Sequence, residues 1–102
     1  MSPQSQRAKL TWLRAISVHL ERYKRYPAMA IEKRVPGTVR VHFTIDREGH
    51  VTASAVTSSA GVTSLDQAAL EMLMRAQPLP HPPRDIPGEQ FAFTVPVVFK
   101  LP

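Results

Sequence analysis

The feature that most constrains the fold of this chain is a regular alternation near its C-terminus, with a proline at its centre. Large apolar side chains occupy every second position there, namely Phe91, Phe93, Val95, Val97 and Phe99. A period of two predicts a β-strand with one strongly apolar face. Pro96 lies within this strand and has no N–H to donate, which confines the strand to the edge of a sheet.

The same proline predicts which main-chain groups stay free. Successive residues of a strand direct their N–H and C=O groups to opposite sides. If Pro96 faces outward, the main-chain groups of Thr94, Val98 and Lys100 also face outward, and those of the intervening residues pair inward. Unpaired edge groups invite a further strand, so an edge must be protected or used for binding. Pro96 and Lys100 protect it in part, and an extended peptide would use it.

Two helices and a hairpin precede this strand. A helix is predicted from about Ser5 to Arg25, where Tyr26-Pro27 ends it. Alternation predicts strands over 38–45 and 51–57 around a turn that ends at Gly49. Val51 and Val56 have opposite parity, which predicts a bulge between them. The apolar stripe expected on the helix consists of Leu10, Leu13, Ile16, Leu20 and Tyr23.

A second helix is expected from Ser64 to about Ala76. Ser64 and Gln67 fit a capping box, with Ser64 as N-cap. The side chains expected to be buried are Leu65, Ala69, Met72, Leu73 and Ala76. The prolines that follow, at 78, 80, 82 and 83, favour an extended connector.

This order of elements predicts the fold class α+β. We expect a two-layer sandwich in the order α-β-β-α-β, with two helices on one face of a three-stranded antiparallel sheet. The last strand most simply lies antiparallel beside the first. The chain of 102 residues is expected to be one domain, with an N-terminal helix and lead-in over 1–25 and a ββαβ core over 36–102.

The sequence offers no pattern that indicates an enzyme, so we expect no catalytic residue, no cofactor and no small-molecule substrate. Cysteine is absent, and the four histidines have no metal-ligand spacing, so no metal site is expected. No apolar run reaches the roughly 20 residues that span a bilayer. The first six residues, Met1 to Gln6, also lack the apolar core of a signal peptide. A location outside the cytoplasm would therefore require the chain to be part of a longer protein.

The charge distribution leaves one rival function open. The net charge is +5, and eight of the thirteen Lys and Arg residues fall within residues 1–35. Such a basic segment fits either a solvated helix face or an acidic partner, including nucleic acid. No nucleic-acid-binding motif accompanies it, so we expect no nucleic-acid partner.

Several ordered segments resemble the C-terminal domains of the TonB family, from about Trp12 to the end of the chain. Each segment is weak evidence alone, and the ordered set is specific. In chain order they are Leu20 to Tyr26-Pro27, Gly37 to Phe43, Asp46 to Val51, Ser58 to Gly61, Leu65 to Leu70, the Pro-x-Pro stretch and Phe93 to Leu101.

The resemblance implies a periplasmic domain of an inner-membrane-anchored energy transducer. Such domains bind the TonB-box peptide of outer-membrane transporters by strand addition, and an ExbB–ExbD-like complex supplies energy from the proton motive force. Uptake of iron siderophores, haem or cobalamin follows. The implied peptide-binding residues are Thr94, Val95, Pro96, Val97, Val98, Phe99 and Lys100. The implied contacts with the transporter are Tyr23, Lys24, Arg25 and Tyr26. A paralogue dedicated to one transporter, or an envelope-structural domain of this fold, remains an alternative.

Overall fold

The computed structural model describes residues 3–33 and 35–101. Both ends of the expected domain, residues 1 and 102, lie outside this range. The described elements follow one another as α1 (Pro3–Glu21), α2 (Ala28–Glu32), β1 (Gly37–Asp46), β2 (Val51–Ser58), α3 (Thr63–Arg75) and β3 (Gln90–Phe99). In this part of the chain, no helix is long and apolar enough to cross a membrane.

The three strands form one antiparallel sheet in the order β2-β1-β3. The prediction that the last strand lies antiparallel beside the first is therefore confirmed. β1 and β3 pair without interruption from Gly37↔Phe99 to Asp46↔Gln90. The β1–β2 register shifts twice. One of these shifts lies between Val51 and Ala53, so the bulge expected from the parity of the valines is confirmed.

The core lies between one face of the sheet and the helices. The four inward side chains of β1 have no exposed surface, and they are Val39, Val41, Phe43 and Ile45. Side chains of α1 and α3 join them in one buried cluster. Two helices thus cover one face of a three-stranded sheet, as the α+β prediction required. The opposite face carries exposed side chains such as Arg40, His42 and Thr94.

Helix α1 differs from its prediction at both its buried face and its end. Leu10 is 59% exposed, whereas Trp12 is 4% exposed and packs edge-on against Phe91 and Phe93. The buried stripe runs from Trp12 through Ile16 to Leu20, and Leu10 lies on a different side of the helix because residues two positions apart point in nearly opposite directions. The helix ends at Glu21 rather than Arg25, and short turns continue to Lys24.

The capping box predicted at Ser64 is wrong. Helix α3 begins at Thr63 with Val62 as its N-cap, and no side chain caps it. The polar residue of its first turn serves the preceding loop instead, because the Asp66 carboxylate accepts hydrogen bonds from the Ser59 hydroxyl and the Ala60 N–H. The five side chains expected to be buried on α3 and its C-cap are all buried. The short helix α2 was not predicted.

The β1–β2 turn meets the proline-rich connector at Gly49. This glycine has φ +88°, and its carbonyl accepts a hydrogen bond from the Leu79 N–H at 2.8 Å. An added Cβ would lie 2.1 Å from the Leu79 carbonyl oxygen. Only glycine tolerates both the positive φ and this close approach. The contact holds the connector against the end of the sheet and so directs the chain back into β3.

Candidate functional site

The sheet has two edges, and they differ in regularity. β2 carries two register shifts, at Arg40/Val41 and at Thr44/Ile45 of its partner β1. Bulges twist an edge and interrupt its hydrogen-bonding pattern, which hinders the addition of another strand. β3 has a continuous register over its ten residues. Among the residues that the structure describes, no strand pairs with its outer side. β3 is therefore the edge whose geometry suits strand addition.

Two contacts identify which main-chain groups of β3 face outward. Arg40 pairs with Pro96, and the Arg40 carbonyl accepts a hydrogen bond from the hydroxyl of Thr57 on the β2 side. The main-chain groups of Pro96 therefore point away from β1. At the next outward position, the Val98 carbonyl accepts a hydrogen bond from Lys24 Nζ at 2.7 Å. Both contacts agree with the alternation deduced from Pro96.

Of the seven residues expected to bind peptide, six divide into two groups of three, and Lys100 stands apart. Thr94, Pro96 and Val98 carry the outward main-chain groups. The side chains of Val97 and Phe99 are buried, and that of Val95 is half-buried. These three residues anchor the strand to the core and position the outward groups. Lys100 is exposed and follows the last strand residue, so it extends the edge without belonging to β3.

A groove of about 390 Å³ runs beside the C-terminal half of β3. The end of α1 and the segment after it form one wall, and β3 forms the other. Its lining residues are Glu21, Lys24, Tyr26, Pro96, Val98, Phe99 and Lys100. The pattern of the sequence did not indicate Glu21. Its spacing of three from Lys24 is the one signal that relates it to this groove.

The segment expected to contact the transporter, residues 23–26, is distributed over different surroundings. Lys24 and Tyr26 line the groove, and Tyr26 packs edge-on against Phe99 and donates a hydrogen bond to the Val35 carbonyl. Tyr23 does not line the groove. Its ring lies near the His19 ring, and its carbonyl accepts a hydrogen bond from Arg75. Arg25 is exposed. The structure thus brings two of the four residues next to β3.

Arg47 fixes the loop that leads into β3. Its guanidinium donates to the carbonyls of Ile86 at 2.9 Å, Gly88 at 2.6 Å and Pro83 at 3.3 Å. It also lies 5.5 Å from the centre of the Phe91 ring, a distance typical of a cation–π contact. The start of the edge strand is therefore held in place.

One cluster of possible metal ligands lies in the β1–β2 turn, far from the groove in sequence. Ligand atoms of Asp46, Glu48 and His50 lie within 4.8 Å of one another. One Asp46 oxygen already accepts hydrogen bonds from the backbone N–H groups of Glu48 and His50, both at 2.9 Å. The bond from His50 is the main cause that lowers the pKa of Asp46 below its ordinary value. These hydrogen bonds stabilise the turn and explain why the three side chains lie close together.

The geometry defines an α+β sandwich domain with one regular, unpaired edge strand and a groove beside it. Comparison with known proteins identifies its relatives. Residues 22–101 match the family described as Gram-negative bacterial TonB protein C-terminal. Protein TonB of Pseudomonas putida is 40% identical over 76 residues, which cover 74% of this chain and 31% of that protein. The chain therefore belongs to the TonB C-terminal family.

Solved structures agree with this assignment. The solution structure of the Helicobacter pylori TonB C-terminal domain superimposes with a TM-score of 0.77 at 28% identity, covering 100% of this chain and 95% of that one. The HasB C-terminal domain gives a TM-score of 0.62 at 40% identity, covering 99% and 78%. The chain spans about a third of the length of the curated relatives. The likeness therefore concerns their C-terminal domains.

Proposed function

We propose that this domain binds the TonB-box peptide of an outer-membrane transporter by adding it as a fourth strand beside β3. The observation that carries the proposal is the unpaired edge of β3, which has a continuous register and outward main-chain groups at Pro96 and Val98. An added strand lies about 4.8 Å away and pairs through its backbone. Side chains around the groove supply selectivity.

The affinity of such a site is moderate because its main contribution is main-chain pairing. Each hydrogen bond contributes about 0.5–1.5 kcal/mol net, and ordering the peptide opposes this gain. Pro96 lacks an N–H, so the bonding pattern has a gap at the centre of the edge. The rigid anchoring of β3 through Arg47 and the buried Val97 and Phe99 lowers the cost on the protein side.

The wider role that we propose is energy transduction. The domain belongs to a longer protein anchored in the inner membrane and reaches into the periplasm. There it transmits energy from an ExbB–ExbD-like complex to transporters for iron siderophores, haem or cobalamin. Membership of the TonB C-terminal family supports this role. The domain acts by binding and force transmission, without catalytic residues or a cofactor.

The segment 23–26 is the second proposed contact with the transporter. Arg25 is exposed and lies next to the groove residues in sequence. Lys24 and Tyr26 border the path of the added strand. Tyr23 is engaged with His19 and Arg75, so its proposed role is to fix the segment.

The direct test is an NMR titration of the isotope-labelled domain with a synthetic TonB-box peptide. We expect the largest amide shifts at the outward positions 94 and 98, with smaller shifts at their neighbours and at 24–26. The exposed arginines of α1 and of the turn after it, Arg7, Arg14 and Arg22, offer a comparison surface. Shifts confined to that surface, with residues 94–100 unmoved, would refute strand addition. A binding constant that falls steeply with salt would instead indicate phosphate binding.

A further inference from the structure

The edge proposed to bind peptide is already occupied at one point by a side chain of the same domain. Lys24 Nζ donates to the Val98 carbonyl oxygen at 2.7 Å and to Glu21 Oε1 at 2.6 Å. The first distance lies within the range of a hydrogen bond to a carbonyl oxygen. The ammonium group therefore occupies the outward carbonyl to which an amide of an added strand would donate.

Lys24 is held in this position before any peptide arrives. The turns after α1 bond the Tyr23 N–H to the Leu20 carbonyl at 2.9 Å and the Lys24 N–H to the Glu21 carbonyl at 3.4 Å. The buried Leu20 attaches these turns to the core. The Lys24 side chain is only 22% exposed. Its contact with Val98 joins residues 74 positions apart, so it is a tertiary contact.

We infer that Lys24 is a displaceable cap on the peptide-binding edge, which a docking strand must release from Val98. This inference rests on the function proposed above and concerns the regulation of the same site. The cap protects the edge against unwanted pairing by placing a charge on it, a role that lysine has on other edge strands. After release, Lys24 keeps its ion pair with Glu21, so displacement costs less than the loss of both contacts.

The cap makes the C-terminal half of the edge different from the rest. Lys24 bonds the outward carbonyl of Val98, whereas among residues 3–33 and 35–101 no side chain bonds an outward main-chain group of Thr94 or Pro96. A peptide that pairs only as far as Pro96 leaves Lys24 in place. A peptide that reaches Val98 must displace it. Lys24 therefore lowers the affinity for the longer register relative to that for the shorter one.

The contact itself is tested on the free domain with Lys24→Met, which keeps most of the side-chain length and removes the ammonium group. Lys9→Met is the matched control, because it removes the same charge from an exposed residue at the other end of α1. We expect the carbonyl carbon resonance of Val98 to shift in Lys24→Met and to stay in place in Lys9→Met. An unchanged Val98 resonance in Lys24→Met would overturn the inference.

The effect of Lys24 on peptide affinity is measured by calorimetry. The peptide used is a TonB-box peptide that shifts the Val98 amide resonance in the NMR titration. We expect Lys24→Met to raise its affinity by about three- to tenfold, the range of one ordinary hydrogen bond that no longer competes. Lys9→Met should leave the affinity unchanged. The peptide is then shortened until it no longer perturbs Val98. Lys24→Met should raise the affinity of this shortened peptide by less than it raises the affinity of the Val98-reaching peptide.

The outcomes separate the cap from the proposed function. A lower or unchanged affinity of the Val98-reaching peptide for Lys24→Met, with binding still mapped to β3, would overturn the cap and leave strand addition intact. An equal gain for both peptides would also overturn it, because the effect would then be independent of register. Failure of every peptide to bind at β3 would refute the proposed function, and the cap with it.

Discussion

Proline substitution at two adjacent residues of β3 tests the assignment of its free edge. The main-chain N–H and C=O groups of Val98 point outward, whereas those of Val97, one residue earlier, point toward Val39 on β1. Val98→Pro therefore removes an N–H that has no partner among the residues that the structure describes. Val97→Pro removes an N–H from the middle of the sheet. The same chemical change should weaken peptide binding at one position and folding at the other.

The structure sets the size of both effects. In Val97→Pro, the Val39 carbonyl loses its partner inside the core, which costs about 1–3 kcal/mol. Val97 is 4% exposed, so imperfect packing of the proline ring adds to this loss, for a total of about 2–4 kcal/mol. In Val98→Pro, the half-buried side chain changes little in size, and we expect less than about 1 kcal/mol. Peptide affinity for Val98→Pro should fall by about two- to tenfold, the worth of one main-chain hydrogen bond.

Urea unfolding followed by circular dichroism measures the first quantity, and calorimetry with the TonB-box peptide measures the second. Val98→Pro should unfold close to the midpoint of the unsubstituted domain and bind peptide more weakly. Equal destabilisation by both substitutions would show that the outward assignment of Val98 is incorrect. Unchanged peptide affinity of a folded Val98→Pro domain would show that the peptide does not pair along this edge.

The β1–β2 turn supplies two further predictions. Gly49→Ala should lower the free energy of unfolding by more than about 2 kcal/mol, because its Cβ would lie 2.1 Å from the Leu79 carbonyl oxygen. Gly61→Ala is the control, since Gly61 also has a positive φ but has open space around its Cβ position. If the urea midpoints of both variants fell equally, the steric argument would be contradicted. Asp46 has a lowered pKa in the folded state. Its stabilisation is therefore present above its ordinary pKa of 3.8 and is lost as pH falls through the lower folded value. Asp46→Asn should therefore weaken the loss of stability below about pH 4 in acid titrations followed by circular dichroism, and an unchanged acid profile would exclude this role.

Local patterns in the sequence were sufficient to predict the sheet. The parity of Val51 and Val56 predicted a bulge, and Pro96 predicted an edge strand, because each signal acts through the hydrogen-bonding geometry of its own strand. The resemblance to TonB C-terminal domains was confirmed by the family match over residues 22–101. The resemblance assigned a ligand, the TonB-box peptide, to this strand. The alternation of β3 and Pro96 alone predicted only that the strand has an unpaired edge.

Predictions at the ends of helices were less accurate, because tertiary packing determines them. Leu10 continues the apolar spacing of α1 but is exposed, because the side of the helix that packs against the sheet carries Trp12, which contacts Phe91. Ser64 fits a capping pattern, yet Asp66 bonds the loop at Ser59 and the helix begins earlier. In both cases the local pattern permits an arrangement that the neighbouring elements do not adopt.

The sequence by itself determined the alternation of β3, the place of its proline and therefore the direction of its main-chain groups. Only the tertiary structure decided what meets those groups. Helix α1 crosses the sheet so that its last turn ends beside β3, and this brings Lys24 to Val98 across 74 residues of chain. A period of two depends on one strand alone, whereas this contact depends on the packing of Trp12, Ile16 and Leu20 against the sheet. No local pattern carries that information, because the contact arises only when the helix and the strand are packed together.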